Sequence, residues 1–247
     1  MHREGFAVLA GMDEVGRGAL AGPVSVGVVC IDERARTAPR GVRDSKLLTA
    51  QRREELVAPI RRWALAWGVG HASSMEIDEV GIIAALRLAG RRALAAAGIR
   101  PDLVLLDGRH DWLSDPAAQG LFGLLSDAPA VPPVRTRIKA DLTCSSVAAA
   151  SVLAKVERDG LMRGHSADHP AYGWEVNKGY AAPEHLAALS THGPCVLHRR
   201  SWRLPGRTAS QGTCPDNLDD APGEACAGVV SAMVHDVPDE EVGRDGR

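Results

Sequence analysis

The sequence lacks the features that mark membrane-spanning, secreted and zinc-cage proteins. Its longest apolar stretches, such as Val24–Ile31, are far too short to span a bilayer. Charged residues interrupt the N-terminal segment MHREGFAVLAGMDE, so it has no secretory signal pattern. The five cysteines are an odd number and include no C-x-x-C pair, which argues against a disulfide framework or a zinc cage. We therefore expect a cytoplasmic protein with reduced thiols.

Two widespread catalytic signatures are also missing. The sequence contains no G-x-S-x-G nucleophile elbow and no H-E-x-x-H zinc motif. Without such a motif, the histidines of the second half are expected to play surface or capping roles; they are His165, His169, His185, His192 and His198. Near the end of the body, the adjacent Arg199 and Arg200 are expected to be solvated, with phosphate contact as the alternative.

The composition is that of an ordinary globular protein, but its charge is unevenly distributed. The chain has 247 residues, 45% of them hydrophobic and 24% charged, which suits one large domain or two small ones. Residues 1–204 carry a net charge of +4 and residues 205–247 carry −6. A mildly basic body with an acidic tail is compatible with a nucleic-acid partner.

Apolar periodicity predicts an α/β fold with a sheet of about five strands, helices on both faces and a helical C-terminal part. A short turn between the first two strands predicts an antiparallel hairpin. Thr49 and Ser73 are suited to cap helices, and Gly98 is suited to end one. The predicted strands cover 6–12, 24–31, 65–72, 102–107 and 134–139, and the predicted helices cover about 50–63, 74–97, 142–163 and 183–191.

The periodic pattern ends at about Pro205. The following segment, TASQGTCPDNLDDAPGEACAG, has few large apolar residues and many turn formers. We expect a folded body over residues 1–205 and an acidic, mostly disordered tail over 206–247. An ordered extension used for partner contact is the alternative.

Two adjacent carboxylates at the end of the first predicted strand are the most informative residues. Asp13 and Glu14 lead directly into the turn formed by Gly16, Arg17 and Gly18. A glycine-rich turn exposes backbone N–H groups, and carboxylates bind hard divalent cations. This pairing suits a cation held beside a phosphate-bearing substrate, although a plain polar turn would have the same residue types.

Two further acids also follow predicted strands. Asp107 ends the fourth strand and Asp141 follows the fifth. Ligand sites of open α/β sheets collect at strand ends, and phosphodiester cleavage by two metals requires several acids. Each acid has a structural alternative: Asp107 with Gly108 forms a common turn dipeptide, and Asp141 could cap the alanine-rich helix that follows. Glu14 can join Asp13 only if the chain bends at Val15-Gly16, since adjacent strand residues point to opposite faces.

An ordered set of motifs over about residues 6–202 resembles ribonuclease HII. Its segments are MDEVGRG (12–18) with Gly22-Pro23, DSK (44–46), LDG (106–108), KAD (139–141) with AAASVLAK (148–155), NKGY (177–180) with His185, and HGP (192–194) with HRRSW (198–202). The sequence departs from the family pattern at Ala182 and Leu142, where many members have Thr and Ser; this concerns local substrate contacts and not the four acids.

The resemblance implies a ribonuclease H-like fold and metal-dependent cleavage of RNA joined to DNA, with residues 1–205 as the catalytic domain. Asp13, Glu14, Asp107 and Asp141 become catalytic ligands of two Mn²⁺ or Mg²⁺ ions. Gly16, Arg17 and Gly18 become the turn whose backbone senses the ribose 2′-hydroxyl, Lys46 a phosphate contact, and Tyr180 the ring that stacks on the next sugar.

The implied reaction is endonucleolytic and needs no covalent enzyme intermediate. Water attacks phosphorus on the 5′ side of a ribonucleotide in an RNA/DNA hybrid or a DNA duplex, leaving 5′-phosphate and 3′-hydroxyl ends. Ribonucleotide removal in DNA repair and replication, and a monomeric enzyme, are the corresponding expectations.

Three other classes fit the sequence less well. A dinucleotide-binding oxidoreductase would need a helix directly after Gly16, Gly18 and Gly22, but Pro23 and a strand follow. A non-catalytic nucleic-acid binder would use the basic residues of 135–139, but would not need four acids, which repel phosphate without metal. A resolvase-like nuclease of similar fold is distinguished by having no requirement for a 2′-hydroxyl.

Overall fold

A mixed five-stranded sheet forms the centre of the protein, in a computed structural model that describes residues 5–42, 45–115 and 131–205. The strand order is β3-β2-β1-β4-β5. The strands are β1 (Val8–Val15), β2 (Val24–Asp32), β3 (Ala66–Ala72), β4 (Leu103–Asp107) and β5 (Val134–Arg137). The predicted α/β class and strand number are confirmed, whereas the predicted tail over 206–247 lies outside the described residues.

The sheet register brings three strand ends to one edge. β1 and β2 form the predicted antiparallel hairpin, and β1, β4 and β5 run parallel to one another. Because carboxyl ends of parallel strands share an edge, the residues that follow Met12, Leu106 and Arg137 lie on the same side of the sheet. This topology positions the acids of the candidate site.

In the described residues, six α-helices surround the sheet and form the C-terminal part. They are α1 (Ala50–Trp63), α2 (Ser74–Ala97), α3 (Ala140–Thr143), α4 (Ser145–Asp168), α5 (Trp174–Asn177) and α6 (Pro183–His192). Short 3₁₀ turns lie at Ser45–Leu47 and Pro170–Tyr172. The predicted caps are confirmed: Thr49 accepts from the Arg52 N–H, Ser73 forms a capping box with Glu76, and left-handed Gly98 ends α2.

Helices cover both faces of the sheet, as predicted. On one face α2 packs against the even-numbered residues of β2, and on the other α1 and α4 bury Val29. The approach of α4 is very close: a Cβ placed on Gly11 would lie 2.3 Å from the Val147 nitrogen, and one on Gly27 would lie 2.3 Å from the Ala150 oxygen. Glycine is therefore required in β1 and β2 for α4 to reach the sheet.

Three details differ from the sequence predictions. β1 begins at Val8 and continues through Val15, so Asp13 and Glu14 lie within the strand and not after it. The reason is that β2 pairs with β1 along its whole length. The predicted helix over 142–163 is two helices, α3 and α4, separated at Cys144 in an extended conformation.

In the sequence, Val134, Thr136 and Ile138 alternate with three basic residues, a pattern that predicts one apolar and one basic face for β5. The predicted apolar face is wrong for two of its three residues. Val134 is half-buried, but Thr136 and Ile138 are exposed, and the strand ends at Arg137. β5 is the edge strand of the sheet, and in the described chain α2 packs on β2 and β3 while α4 packs mainly on β1 and β2. Alternation along an edge strand therefore does not report burial here.

Candidate active site

The first pair of acids lies at the carboxyl end of β1, beyond the point where β4 stops pairing with it. Asp13 is 8% exposed, and its Oδ1 accepts a hydrogen bond from the Glu14 N–H at 2.9 Å. Burial, together with the neighbouring charges of Glu14 and Asp107, raises the pKa of Asp13 to about 7. Burial also raises the pKa of Glu14, with Asp107 adding to the effect. Three carboxylates therefore share one electrostatic environment.

Asp107 and Asp141 are linked through the backbone between β5 and α3. Asp107 Oδ1 accepts a hydrogen bond from the Ala140 N–H at 2.7 Å, and the Gly108 N–H donates to the Arg137 carbonyl at 3.1 Å. Asp141, the next residue, is 7% exposed in the first turn of α3. It caps neither α3 nor α4, whose N-caps are Lys139 and Cys144. The carboxylate of Asp107 thus holds the segment that carries Asp141.

These clustered carboxylates repel one another in the metal-free protein, and they suit divalent cations as ligands. Carboxylate oxygens are preferred ligands of Mg²⁺ and Mn²⁺. The mutual repulsion of Asp13, Glu14 and Asp107 raises pKa values, and a bound cation reverses that effect. Within residues 5–42, 45–115 and 131–205, no three His, Cys, Asp or Glu side chains converge as a preformed cation cage.

The Gly16–Gly18 turn contacts the predicted sugar-stacking tyrosine directly. The Gly16 N–H donates to the Tyr180 Oη at 3.1 Å. Gly16 has a φ of +83°, and a Cβ on it would lie 2.0 Å from the Arg158 Nε, so only glycine fits. The charge of Arg17 lowers the pKa of Glu14, which places this turn beside the acids.

Lys46 belongs to the same electrostatic environment as these acids. Its positive charge lowers the pKa of both Asp13 and Glu14. The preceding Ser45 is held by a 2.7 Å hydrogen bond between its Oγ and that of Ser151, and Ser151 in turn bonds to Asp13. The sequence segments of all the predicted site residues thus meet at one edge of the sheet, whereas Asp44 of the DSK motif lies outside the described residues.

Sequence reasoning missed two arginines at the site. Arg158 was not singled out and Arg199 was expected to be solvated, but both are completely buried. Arg199 donates to the carbonyls of Gly16 and Arg17, both at 2.6 Å. The only available signal was their position inside the AAASVLAK-VER and HRRSW segments. Arg200 is exposed, as expected.

Two histidines that we expected at the surface are also completely buried. The Nε2 atoms of His185 and His198 are 3.0 Å apart. Burial lowers the pKa of both rings, that of His198 to about 4, so both are neutral at pH 7. The Cys195 N–H donates to His198 Nδ1, and His185 Nδ1 lies 2.8 Å from the Tyr180 carbonyl oxygen. The expectation of surface positions was wrong because the two rings bond to each other and to the Tyr180 carbonyl across the fold, which the local sequence does not show.

Comparison with solved structures identifies the fold. The ribonuclease H2 of Pyrococcus horikoshii superposes with a TM-score of 0.60 and 29% identity, covering 79% of this chain and 93% of that one. Bst-RNase HIII in complex with Mn²⁺ has a TM-score of 0.56 and 21% identity, covering 76% and 63%. The sheet and its acid-bearing edge define a metal-dependent nuclease with a ribonuclease H-like fold.

Sequence comparison identifies the family. The family model for ribonuclease HII matches residues 10–204. Ribonuclease HII of Streptomyces avermitilis is 48% identical over 198 residues, covering 80% of this chain and 78% of the relative. That of Nitrosococcus oceani is 45% identical over 195 residues, covering 79% and 88%. The chain belongs to the ribonuclease HII family.

Family membership defines the reaction class. The protein is a divalent-metal-dependent endoribonuclease that hydrolyses RNA in RNA/DNA hybrids. The resemblance that the sequence motifs indicated is therefore confirmed, and both the oxidoreductase and the non-catalytic binder are excluded. In the part of the chain that the structure describes, no helix combines the length and the apolar content needed to cross a membrane.

Proposed function

We propose that this ribonuclease cuts on the 5′ side of ribonucleotides embedded in duplex DNA, as well as in hybrids, and leaves 5′-phosphate and 3′-hydroxyl ends. The observation that supports this most directly is the 3.1 Å hydrogen bond between the Gly16 N–H and the Tyr180 Oη. It joins a backbone turn suited to the ribose hydroxyl to an aromatic ring suited to the adjacent sugar. This composite site lies beside the carboxylates of Asp13 and Glu14.

The four acids are proposed to hold two Mg²⁺ or Mn²⁺ ions. When bound, such ions activate water and stabilise the leaving oxygen. The chain's own contribution is to bring Asp13 and Glu14 on β1 close to Asp107 on β4. Asp107 also accepts from the backbone that precedes Asp141, which keeps the fourth carboxylate at the same edge.

The substrate contacts are proposed to come from both sides of the acids. The backbone of Gly16, Arg17 and Gly18 would hydrogen-bond to the 2′-hydroxyl, which distinguishes a ribonucleotide from a deoxynucleotide. Lys46, whose charge already reaches Asp13, would contact a phosphate. Tyr180, held through its hydroxyl by Gly16, would stack on the sugar that follows the ribonucleotide.

The wider setting is also a proposal. Residues 1–205 form the catalytic domain, and residues 206–247 form an acidic tail. The enzyme acts as a monomer in the cytoplasm, and its substrates connect it with DNA repair and replication. A ribonuclease HII of Archaeoglobus fulgidus, 27% identical over 78% of this chain, has been solved in complex with PCNA.

The decisive experiment compares cleavage of three duplexes that differ only in sugar chemistry. One is all DNA, one contains a single ribonucleotide, and one is a hybrid; each is tested with Mn²⁺, with Mg²⁺ and with a chelator. We expect a single nick on the 5′ side of the lone ribonucleotide that depends on metal and is lost in Asp13→Asn. Nicking of the all-DNA duplex would instead support a resolvase-like nuclease, and full turnover by Asp13→Asn would refute the assigned acids.

A further inference from the structure

Two buried guanidinium groups hold the Gly16–Gly18 turn and the chain around it. Arg199 donates to the backbone carbonyl oxygens of Gly16, Arg17 and Gly22, and its guanidinium lies 4.8 Å from the centre of the Trp202 ring. The bonds to Gly16 and Arg17 are both 2.6 Å long. A single side chain thus uses both of its terminal nitrogens on the two peptide groups of the turn.

Arg158 holds the surroundings of the same turn from α4. It donates to the carbonyl oxygens of Ala21, Pro23 and Lys178, at 3.3, 2.9 and 3.0 Å. Its guanidinium also lies 5.2 Å from the centre of the Tyr180 ring. Arg158 therefore connects the chain after the turn to the segment that carries Tyr180.

Structural stability alone does not account for these two residues. Both arginines are 0% exposed, and burial lowers the pKa of both, that of Arg199 to about 9. Among the described residues, neither guanidinium has a carboxylate within ion-pair distance. Burying an unpaired cation is costly, and apolar residues of similar volume often stabilise a core better. What the two guanidinium groups provide instead is a fixed direction for several backbone carbonyls.

That direction determines where the N–H groups of the turn point. All described peptide bonds are trans, and in a trans peptide the C=O and the N–H of the next residue point in opposite directions. Because Arg199 binds the carbonyls of Gly16 and Arg17, the N–H groups of Arg17 and Gly18 point away from it. The side of the turn opposite Arg199 is therefore lined by hydrogen-bond donors.

We infer that Arg199, supported by Arg158, is a positioning residue for ribonucleotide recognition: its planar guanidinium fixes the peptide planes of the turn so that the N–H groups of Arg17 and Gly18 are directed at the 2′-hydroxyl. This inference rests on the proposed role of the turn in sensing that hydroxyl. Five donors in a rigid fork can hold two adjacent carbonyls at once, whereas a lysine presents a single nitrogen. Arg199→Lys keeps the charge and loses this geometry.

The test measures discrimination and not activity alone. In the Asp13→Asn background, which should bind without cutting, we compare the Kd for an all-DNA duplex with the Kd for the same duplex containing one ribonucleotide. Adding Arg199→Lys should reduce this Kd ratio at least fivefold. A partly unfolded sample would weaken binding to both duplexes equally and leave the ratio unchanged. The matched control is Arg200→Gln, which alters the exposed neighbour and should keep the ratio within twofold.

Each outcome decides a separate point. If Asp13→Asn alone shows no preference for the ribonucleotide, the proposed role of the turn fails, and the inference fails with it. If the preference exists and folded Arg199→Lys retains it within twofold, only the positioning role is overturned. If Arg199→Lys does not fold, Trp202→Leu decides: loss of the ring beside the guanidinium should reduce the ratio two- to threefold, and an unchanged ratio overturns the inference.

Discussion

Replacing Asp13 by Asn should stabilise the metal-free protein at alkaline pH while abolishing cleavage. Burial and the charges of Glu14 and Asp107 raise the pKa of Asp13 from 3.8 to about 7. The folded protein therefore binds a proton that the unfolded chain releases at much lower pH. Between these two pKa values the native state binds more protons, so stability falls as pH rises from about 4 to about 7.

The size of the effect follows from the two pKa values. A difference of roughly three units corresponds to about 4 kcal/mol lost at pH values well above 7. Between pH 5 and pH 8 the Asp13 carboxyl alone should cost the wild type about 2.5 kcal/mol. Asn cannot ionise, and its Oδ1 can still accept the hydrogen bond from the Glu14 N–H. The variant should therefore escape this loss.

Urea unfolding in the presence of a chelator, at pH 5 and pH 8, measures the difference directly. Wild type should lose about 2.5 kcal/mol more than Asp13→Asn between these pH values, because all other titrating groups are shared. Asp168→Asn, which changes an exposed carboxylate at the end of α4, should follow the wild type to within about 0.5 kcal/mol. Equal pH dependence of wild type and Asp13→Asn would refute the raised pKa of Asp13 that burial and the neighbouring acids cause.

Three further predictions concern the turn, the packing of α4 and the buried histidines. Gly16→Ala should lower the free energy of unfolding by at least about 2 kcal/mol, because its Cβ would overlap the Arg158 Nε at positive φ. The control Gly18→Ala has open space around its Cβ and should change the free energy of unfolding by less than about 0.5 kcal/mol. Urea unfolding measures both variants, and equal losses of stability would contradict the geometry of the turn. Gly27→Ala should lower the free energy of unfolding by about 3 kcal/mol, because its Cβ would push α4 away from the sheet. The control Gly160→Ala, in open space on α4, should raise the free energy of unfolding by about 0.5 kcal/mol. Thermal melts compare the two variants, and an unchanged stability of Gly27→Ala would show that α4 can move away from the sheet without loss. Burial lowers the pKa of His198 to about 4, so the unfolded state binds a proton at higher pH than the native state does, and stability is lost as pH falls from about 6.5 to about 4. Between pH 7 and pH 4.5 the wild type should therefore lose about 2 kcal/mol more of its free energy of unfolding than His198→Gln. Parallel pH profiles of the two proteins would refute the lowered pKa.

Local signals in the sequence were sufficient for most of the secondary structure. The boundaries of α1 and α2 follow from Thr49, Ser73 and Gly98, because a cap depends on hydrogen bonds within a few residues. The hairpin of β1 and β2 follows from a short turn between two apolar runs. The break at Cys144 was not predicted, because it depends on how Asp107 on a distant strand holds the Ala140 N–H.

Local patterns failed where burial depends on the neighbours of an element. The alternation of Val134, Thr136 and Ile138 suggested a buried face, but β5 is an edge strand. His198 was expected at the surface or at a cap because the sequence has no zinc motif, and Arg199 was expected to be solvated. Both are completely buried, and Arg199 bonds to Gly16 and Arg17 far away in the chain. The free-energy cost of burying a polar side chain is offset by hydrogen bonds to residues of distant segments, which the local sequence does not reveal.

The sequence by itself determined the family, the five-stranded α/β sheet and the identities of the four candidate acids, because ordered motifs and short-range periodicity are local properties. Only the tertiary structure decided that Asp107 joins Asp13 and Glu14 in one electrostatic environment. It also decided that two buried arginines donate hydrogen bonds to the turn beside these acids and to the chain that follows it. These relations join residues that are more than ninety positions apart in the sequence, and the packing of α4 and of the C-terminal segment brings them together.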